Sequence, residues 1–291
     1  MKNLQYFTGD ECHFRLGIFL TNFRLIQEFN SNKKSYKVGL NQFSCYTSSE
    51  YKSLLGYKQI SIQLKHQQYP KLNDDIPDFI DWREKGIVNE IKDQGFCGSC
   101  WAFGTIQACE SSYASAQGTL NSCSEQNLID CCTDCDGCGG GVEYKALDFI
   151  INSQNGYLNS EDVYPYIADD GECKYDQTKG ISPIKSYSHG IKDDEIYLKK
   201  LVSKGVCDIA IDAGFWDFQA YTSGIYANPD CTSASLNHAV GLVGYGTENG
   251  IDYWIVRNSW RKNWGDERYI KMILNKNNQC GVASDALQVY A

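Results

Sequence analysis

No apolar run in this chain approaches the roughly 18–20 residues that a bilayer-crossing helix requires, which excludes a helical membrane span. An excess of basic residues is also missing. The formal net charge is −9, and an acidic surface repels phosphate backbones, so a nucleic acid partner is excluded on electrostatic grounds. Such a surface suits cationic substrates or acidic surroundings. There is no internal repeat and no low-complexity tract, which removes solenoids and disordered arrays from consideration. Histidine is scarce, with four residues in all. The segment Met1–Asp10 has neither an apolar core nor a small-residue cleavage site, so no secretory signal is visible, and the start is read as trimmed or misassigned.

What is present is an ordinary globular balance. The chain has 291 residues, 42% hydrophobic and 22% charged, enough to bury a core and to leave room for two lobes with an appended segment. Fourteen cysteines are many for this length. In a reducing compartment they point to metal sites; in an oxidising one they pair.

Along the chain, Glu11, Arg15, Phe19, Asn22, Ile26 and Asn30 recur at spacings of three and four and predict one face of a helix over 11–30. Residues 36–57 read as a short strand and a helical turn. The polar stretch 58–75, with Pro70 and Asn73-Asp74-Asp75, reads as a linker. Helices are predicted from about Cys100 to Gln117 and from Val142 to Ile151, flanking a Cys/Gly/Asp-rich loop at 131–141. His189 is placed in a polar turn. From Val206 onward, short apolar runs separated by glycines predict an antiparallel β unit.

The run Asp93–Phe103 (DQGFCGSCWAF) carries the chemistry. Cys100 stands where a glycine-rich loop passes into a helix, and the positive end of the helix dipole favours thiolate, the nucleophilic form. The Cys97-x-x-Cys100 spacing also suits a redox enzyme, but no thioredoxin-like βαβ pattern surrounds it. A thiolate nucleophile needs a base that can later protonate a leaving amine. Of the four histidines, His13 and His66 precede the linker, whereas His238 opens an apolar strand. Its distance along the chain from Cys100 falls in the roughly 130–150 residues expected between catalytic cysteine and histidine in one class of cysteine peptidases.

Cys97–Trp101 (CGSCW), Asn237-His238-Ala239 and Arg257-Asn258-Ser259-Trp260 together resemble the papain family of cysteine proteases, cathepsin L-like subgroup, nearest its protozoan, amoebic members. The resemblance runs from about Glu11 to Ala291. It implies an α+β fold of two lobes with a cleft between them, and a thiol-dependent endopeptidase acting through a thioester. Cys100 is implied as nucleophile, His238 as general acid and base, Asn258 as the group that orients the imidazole, Trp260 as its shield, and Gln94 as the side-chain oxyanion donor. The six-residue helical pattern matches the family's inhibitory prodomain at every position. A second prodomain pattern, G-x-N-x-F-x-D, is present as Gly39, Asn41 and Phe43, with Cys45 in place of the Asp. The usual first helix begins with tryptophan-bearing sequence that is missing here, which reads as a truncated start.

The implied domains are an inhibitory prodomain at 1–57, a linker at 58–75 removed by a cut near Ile76, and a peptidase domain at 76–291. The peptidase comprises a helical lobe at about 85–188 and a β-barrel-like lobe at about 189–291 plus 76–84. The family's bridges map to Cys97–Cys138, Cys131–Cys173 and Cys231–Cys280, each worth about 3–4 kcal/mol in the chain-entropy model. Cys109, Cys123, Cys132, Cys135 and Cys207 are left over, and Cys132-x2-Cys135-x2-Cys138 has metal-ligand spacing as a competing reading. Substrate backbone is expected along Gly140 and Gly141. The pocket for the substrate's P2 side chain maps to Val142, Ala210, Leu236 and Ala239 with Asp285 at its floor, which favours arginine there, with Glu143 adding to the preference. Implied partners are protein and peptide substrates, the chain's own prodomain and cystatin-like inhibitors, with a monomeric state and no cofactor or metal. The implied location is lysosomal, vesicular or secreted. Arg261 and Arg268 stand where the family carries glycines, and arginine strains any turn that needs positive φ. A folded but catalytically feeble binding protein is therefore the alternative.

Overall fold

In the computed structural model, residues 8–59 and 75–291 are described. The linker expected at 58–75 lies almost entirely outside them, as does the run leading to the expected cut near Ile76.

Thr8 caps the first helix, α1 (Gly9–Ser31), its hydroxyl accepting from the Glu11 N–H. The six patterned residues explain why the helix sits where it does. Arg15 is held by Glu11 (2.7 Å), by both carboxylate oxygens of Glu50 (2.5 Å each) and by the Cys45 carbonyl (3.0 Å). The Asn22 amide donates to the Ser44 carbonyl, and Asn30 exchanges two bonds with the Val38 backbone. Ile26 is buried. The pattern is thus a row of clamps joining α1 to the strand β1 (Tyr36–Val38), and to α2 (Ser48–Lys52), which is closed by a Thr47/Glu50 capping box.

The remaining elements follow in chain order: β2 (Ile80–Asp81), α3 (Cys100–Gln117), α4 (Glu125–Cys131), α5 (Glu143–Ser153), β3 (Ser186–His189), α6 (Glu195–Val202), β4 (Cys207–Ile211), α7 (Trp216–Gln219), β5 (Tyr221–Tyr226), β6 (His238–Glu248), β7 (Ile251–Arg257), β8 (Tyr269–Ile273) and β9 (Ala286–Tyr290). Helices α3, α4 and α5 pack as one layer around Trp101, Ile106, Leu128, Leu147 and Ile150. The strands form a sheet in the order β1-β5-β8-β7-β6-β4-β9-β3, with β2 paired to β6. This is an α+β, two-lobe architecture. Two expectations need correction. The sheet is mixed rather than antiparallel throughout, because β5 and β8 pair in parallel through Ile225–Lys271 and Tyr226–Met272. His189 ends a strand paired to Leu287 of β9 instead of sitting in a turn. The short helices α4 and α6 carry too few turns to show a helical period in sequence.

The N-terminal segment is part of the β lobe's core. Tyr36, Val38, Phe43, Tyr51 and Leu54 are buried in the same cluster as Phe218, Tyr221, Trp260 and Trp264. β1 extends the sheet by pairing with β5, and the Tyr36 hydroxyl donates to Asp217 at 2.6 Å.

Candidate active site

Cys100 is the first residue of α3, fully buried where the two lobes meet. The loop before it is pinned by the Cys97–Cys138 disulfide and by the Gly98 N–H donating to the Cys138 carbonyl at 3.0 Å. His238 opens β6 and is equally buried. Asn258 follows the end of β7, and its Oδ1 accepts from the Ser259 N–H (2.8 Å), which fixes that oxygen as an acceptor. The bond between this oxygen and His238 Nε2 (2.8 Å) therefore places the imidazole proton on Nε2. Nδ1 is left with its lone pair and without a protein hydrogen-bond partner. Trp260 stacks on the imidazole at 4.8 Å and 26°.

Gln94 is held at its far end. Its Oε1 accepts from the Ser259 hydroxyl (2.6 Å), its N–H donates to the Ser259 carbonyl (2.9 Å), and its carbonyl accepts from the Tyr166 hydroxyl (2.7 Å). The Nε2 amide is thereby turned toward the thiol's surroundings. It donates to the carbonyls of Cys97 and of Leu54, both at 2.9 Å.

Leu54 belongs to the N-terminal segment, and that segment covers the site. Tyr57 pairs in parallel with Gly141, the Gly141 N–H donating to the Gly56 carbonyl and the Lys58 N–H to the Gly141 carbonyl, each at 2.9 Å. The Tyr57 N–H donates to the Asn237 carbonyl, and the Gly56 N–H faces the Cys100 sulfur. A Cβ on Gly56 would lie 1.7 Å from the Gly98 carbonyl oxygen, and one on Gly141 would lie 2.5 Å from the Trp101 ring. Glycine at 56 is what lets the strand lie flat against the cleft, and glycine at 141 leaves room for the Trp101 ring. Burial beneath it pushes the Cys100 thiol up to about 12, and burial also pulls His238 down to about 4. The covered pair is a neutral thiol and a neutral imidazole.

Val142, Ala210, Leu236 and Ala239 are buried in one cluster with Tyr57. The Tyr57 hydroxyl donates to Asp285. Sequence reasoning missed Leu54, Gly56 and Tyr57 as site residues, because no motif marks them. It also missed Ser259 as the anchor of Gln94, although its place within Arg257–Trp260 was a usable signal.

The disulfides are Cys97–Cys138, Cys131–Cys173, Cys231–Cys280 and Cys132–Cys135. The three sulfurs with metal-ligand spacing are therefore all engaged in bridges. Among the described cysteines, Cys12, Cys45, Cys100, Cys109, Cys123 and Cys207 are free thiols. Of the two arginines at glycine positions, Arg268 has φ +73°, with Glu267 before it at +53°, whereas Arg261 is not among the positive-φ residues and pairs with Asp93 at 2.8 Å. Arg268 is tied in place by its carbonyl, which accepts from the Asn258 N–H, and by its guanidinium, which donates to the Ile91 carbonyl.

The model of the papain family of cysteine proteases matches residues 76–290, and that of the cathepsin propeptide inhibitor domain matches residues 2–51. The chain belongs to the papain family of cysteine proteases. It is 41% identical over 294 residues to a cathepsin L-like proteinase of Fasciola hepatica (98% of this chain, 89% of that protein). It is 40% identical over 291 residues to cathepsin L of Sarcophaga peregrina (94% and 85%). A probable cysteine protease of Arabidopsis thaliana, RD21B, is 43% identical, and there the chain spans 61% of the relative's length. Among solved structures, digestive procathepsin L2 from Tenebrio molitor larval midgut superposes with a TM-score of 0.92 at 36% identity, covering 99% of this chain and 95% of that one. As a papain-family cysteine protease it is an enzyme, and its chain includes its own propeptide inhibitor domain.

Proposed function

We propose that Cys100 is the nucleophile of a cysteine endopeptidase present here as its zymogen, with His238 as acid and base, Asn258 as the group that orients it and Gln94 as the oxyanion donor. The observation that carries this reading is the placement of Cys100 at the start of an 18-residue helix packed on β6, with the backbone of Ala239 at its sulfur and the preceding residue, His238, holding Nε2 on Asn258 and leaving Nδ1 free. Attack by the thiolate on a peptide carbonyl gives an oxyanion that Gln94 Nε2 and a backbone N–H stabilise. The imidazolium then protonates the leaving amine, and a water activated by the neutral imidazole cleaves the thioester. Trp260 covers the His238–Asn258 bond and keeps water from it.

In the zymogen the nucleophile meets an amide N–H instead of an electrophilic carbon. The Gly56 carbonyl is turned away to Gly141, and the Leu54 carbonyl takes up the Gln94 amide, so the oxyanion donor is withheld from a substrate. The strand therefore blocks the site without being cut by it. Removing it returns Cys100 to solvent and to the helix dipole, and both effects lower the thiol pKa.

For specificity we propose arginine at P2. Tyr57 supports this, since a long side chain with a terminal donor already reaches Asp285 through the apolar walls. A guanidinium offers the same donor with a charge added. Four disulfides favour a lysosomal, vesicular or secreted location. Labelling by an epoxide directed at active-site thiols tests the core assignment. Matured protein is expected to incorporate one equivalent, and Cys100→Ala none. Labelling that survives in Cys100→Ala sinks the reading, and an intact protein that takes up no label favours a binding role instead.

A further inference from the structure

One aromatic ring of the peptidase domain stands in water beside the catalytic groups. Phe96 is 62% exposed even with the propeptide in place, and it lies two residues past Gln94. The turn that presents it is braced on both sides. The Cys97 N–H reaches back to the Gln94 carbonyl at 3.4 Å, Gly95 between them takes a φ of +62°, and the Cys97–Cys138 disulfide closes the far end. At the near end Asp93 Oδ1 accepts from the Gly95 N–H (3.1 Å), and Asp93 Oδ2 accepts from the Arg261 guanidinium (2.8 Å). Arg261, at a position where the family carries glycine, thus has a task here: it helps hold the Phe96 turn. A phenyl group on a turn fixed in this way is a pre-organised apolar surface.

The propeptide shows what this surface accepts. The Tyr46 ring lies parallel to Phe96 at 5.9 Å and 9°, and its other side meets Phe43, which stands on Trp260. Both bridging rings leave with the propeptide. The order of contacts along the propeptide fixes which part of a substrate takes their place. Tyr57 and Lys58 lie along Gly141, the Gly56 N–H faces the sulfur, and the Leu54 carbonyl meets Gln94 on the other side. Trp260 covers His238, the group that protonates the leaving amine, so the side of Gln94, Trp260 and Phe96 is the leaving-group side. Two residues of chain span at most about 7 Å, so the ring stands within reach of about the second or third substrate residue after the scissile bond.

We propose, on the reading that Cys100 is the nucleophile and Gln94 the oxyanion donor, that Phe96 is a specificity-determining residue that selects an aromatic side chain at P2′ or P3′. The substrate ring takes the seat of Tyr46, face to face with Phe96. Stacking adds to the burial of apolar area, and the platform loses no rotamer freedom on binding because its turn is already fixed.

The test compares kcat/KM for internally quenched peptides that differ only in Phe, Leu or Ala at P2′ or P3′. Enzyme matured from the full chain is used, for the parent, Phe96→Ser, Phe96→Leu and Phe96→Tyr. The parent should favour Phe over Ala at one of the two positions by about fivefold to tenfold, with Leu between them. Phe96→Ser should bring that ratio close to one, and Phe96→Tyr should keep it. Should Phe96→Ser fail to mature, Phe96→Leu decides, since it keeps bulk without a ring and should lose the preference for Phe over Leu. A peptide whose leaving group is an aminocoumarin, with no residue after the scissile bond, should be cleaved equally by all four. A parent without the preference, or a preference that survives the loss of the ring, overturns the proposal and leaves Phe96 a seat for Tyr46 alone. A parent that neither cleaves the aminocoumarin peptide nor takes up a thiol-directed epoxide instead overturns the peptidase reading on which it rests.

Discussion

Between Tyr36 and Tyr51 the propeptide meets the β lobe with side chains, whereas between Leu54 and Lys58 it crosses the cleft with backbone. In the first region β1 joins the sheet and the Phe43 ring stands edge-on to Trp260 at 5.0 Å. Tyr51 adds a second edge contact to the same indole and bonds the Ala213 carbonyl. In the second region the contacts are main-chain hydrogen bonds to Gly141 and Asn237, close approach at Gly56 and two side-chain bonds, Tyr57 to Asp285 and Lys58 to Asp136. The difference separates two tasks. Aromatic burial supplies affinity, being proportional to apolar area removed from water. The cleft strand also buries Leu54 and Tyr57, but it is its backbone that decides what the thiol touches. Trp260 links the two regions, since it is both the roof of His238 and the floor of the propeptide dock.

Three substitutions would break this comparison, taken from the largest expected effect to the smallest. Phe43→Ala removes a buried ring from the dock, a change that costs about 3–5 kcal/mol in well-packed sites. Peptide hydrolysis by the uncleaved chain, followed in the first minutes before processing is visible on a gel, should rise by about 10²-fold or more. Gly56→Ala leaves the dock intact and lifts only the cleft strand, because the new methyl collides with backbone that cannot move aside. Overpacking of this kind costs about 1–3 kcal/mol, so the same assay should show a rise of roughly tenfold with little change in Tm. A Gly56→Ala chain as silent as the parent would show that the dock alone inhibits.

The smallest effect concerns acid. The Arg15 guanidinium, helped by the Thr47 cap, holds the Glu50 carboxyl down at about 2, below its ordinary value near 4.5. A depressed folded-state pKa means that this clamp contributes fully above about pH 4.5 and fades as pH falls toward 2. Glu50 is partly exposed, so solvent screening keeps the contribution to fractions of a kcal/mol. Glu50→Gln should lower the Tm of the zymogen slightly at pH 6 and flatten its decline below pH 4.5. Parallel Tm curves for parent and variant between pH 6 and 3 would remove Glu50 from any role in acid release.

Much of this was legible before any coordinates. The three- and four-residue spacing from Glu11 to Asn30 marked a helix face, and the structure shows what the face is for: Arg15, Asn22 and Asn30 each hold the chain that follows. His238 stood out because histidine is scarce. What could not be read was Tyr57 against Asp285, since a tyrosine in an unpatterned loop has no signature until the chain folds back across the cleft. Asp208 was equally silent. In the run CDIAIDA it reads as one polar position in a strand, and only the packing of β4 against Gly104 shows that its carboxylate faces the interior.

Sequence determined the residue types and their order: a cysteine at a helix start, a histidine at a strand start, an amide near each, and an inhibitory segment ahead of them. Those features depend on local spacing and side-chain chemistry, which a chain carries without folding. Tertiary structure alone decided which nitrogen of His238 is free, that Gly56 presents an N–H to the thiol, and that the Asp208 carboxyl is buried against α3. Each of these is set by contacts between segments far apart in the chain and by the exclusion of water between them. Spacing cannot encode those relations.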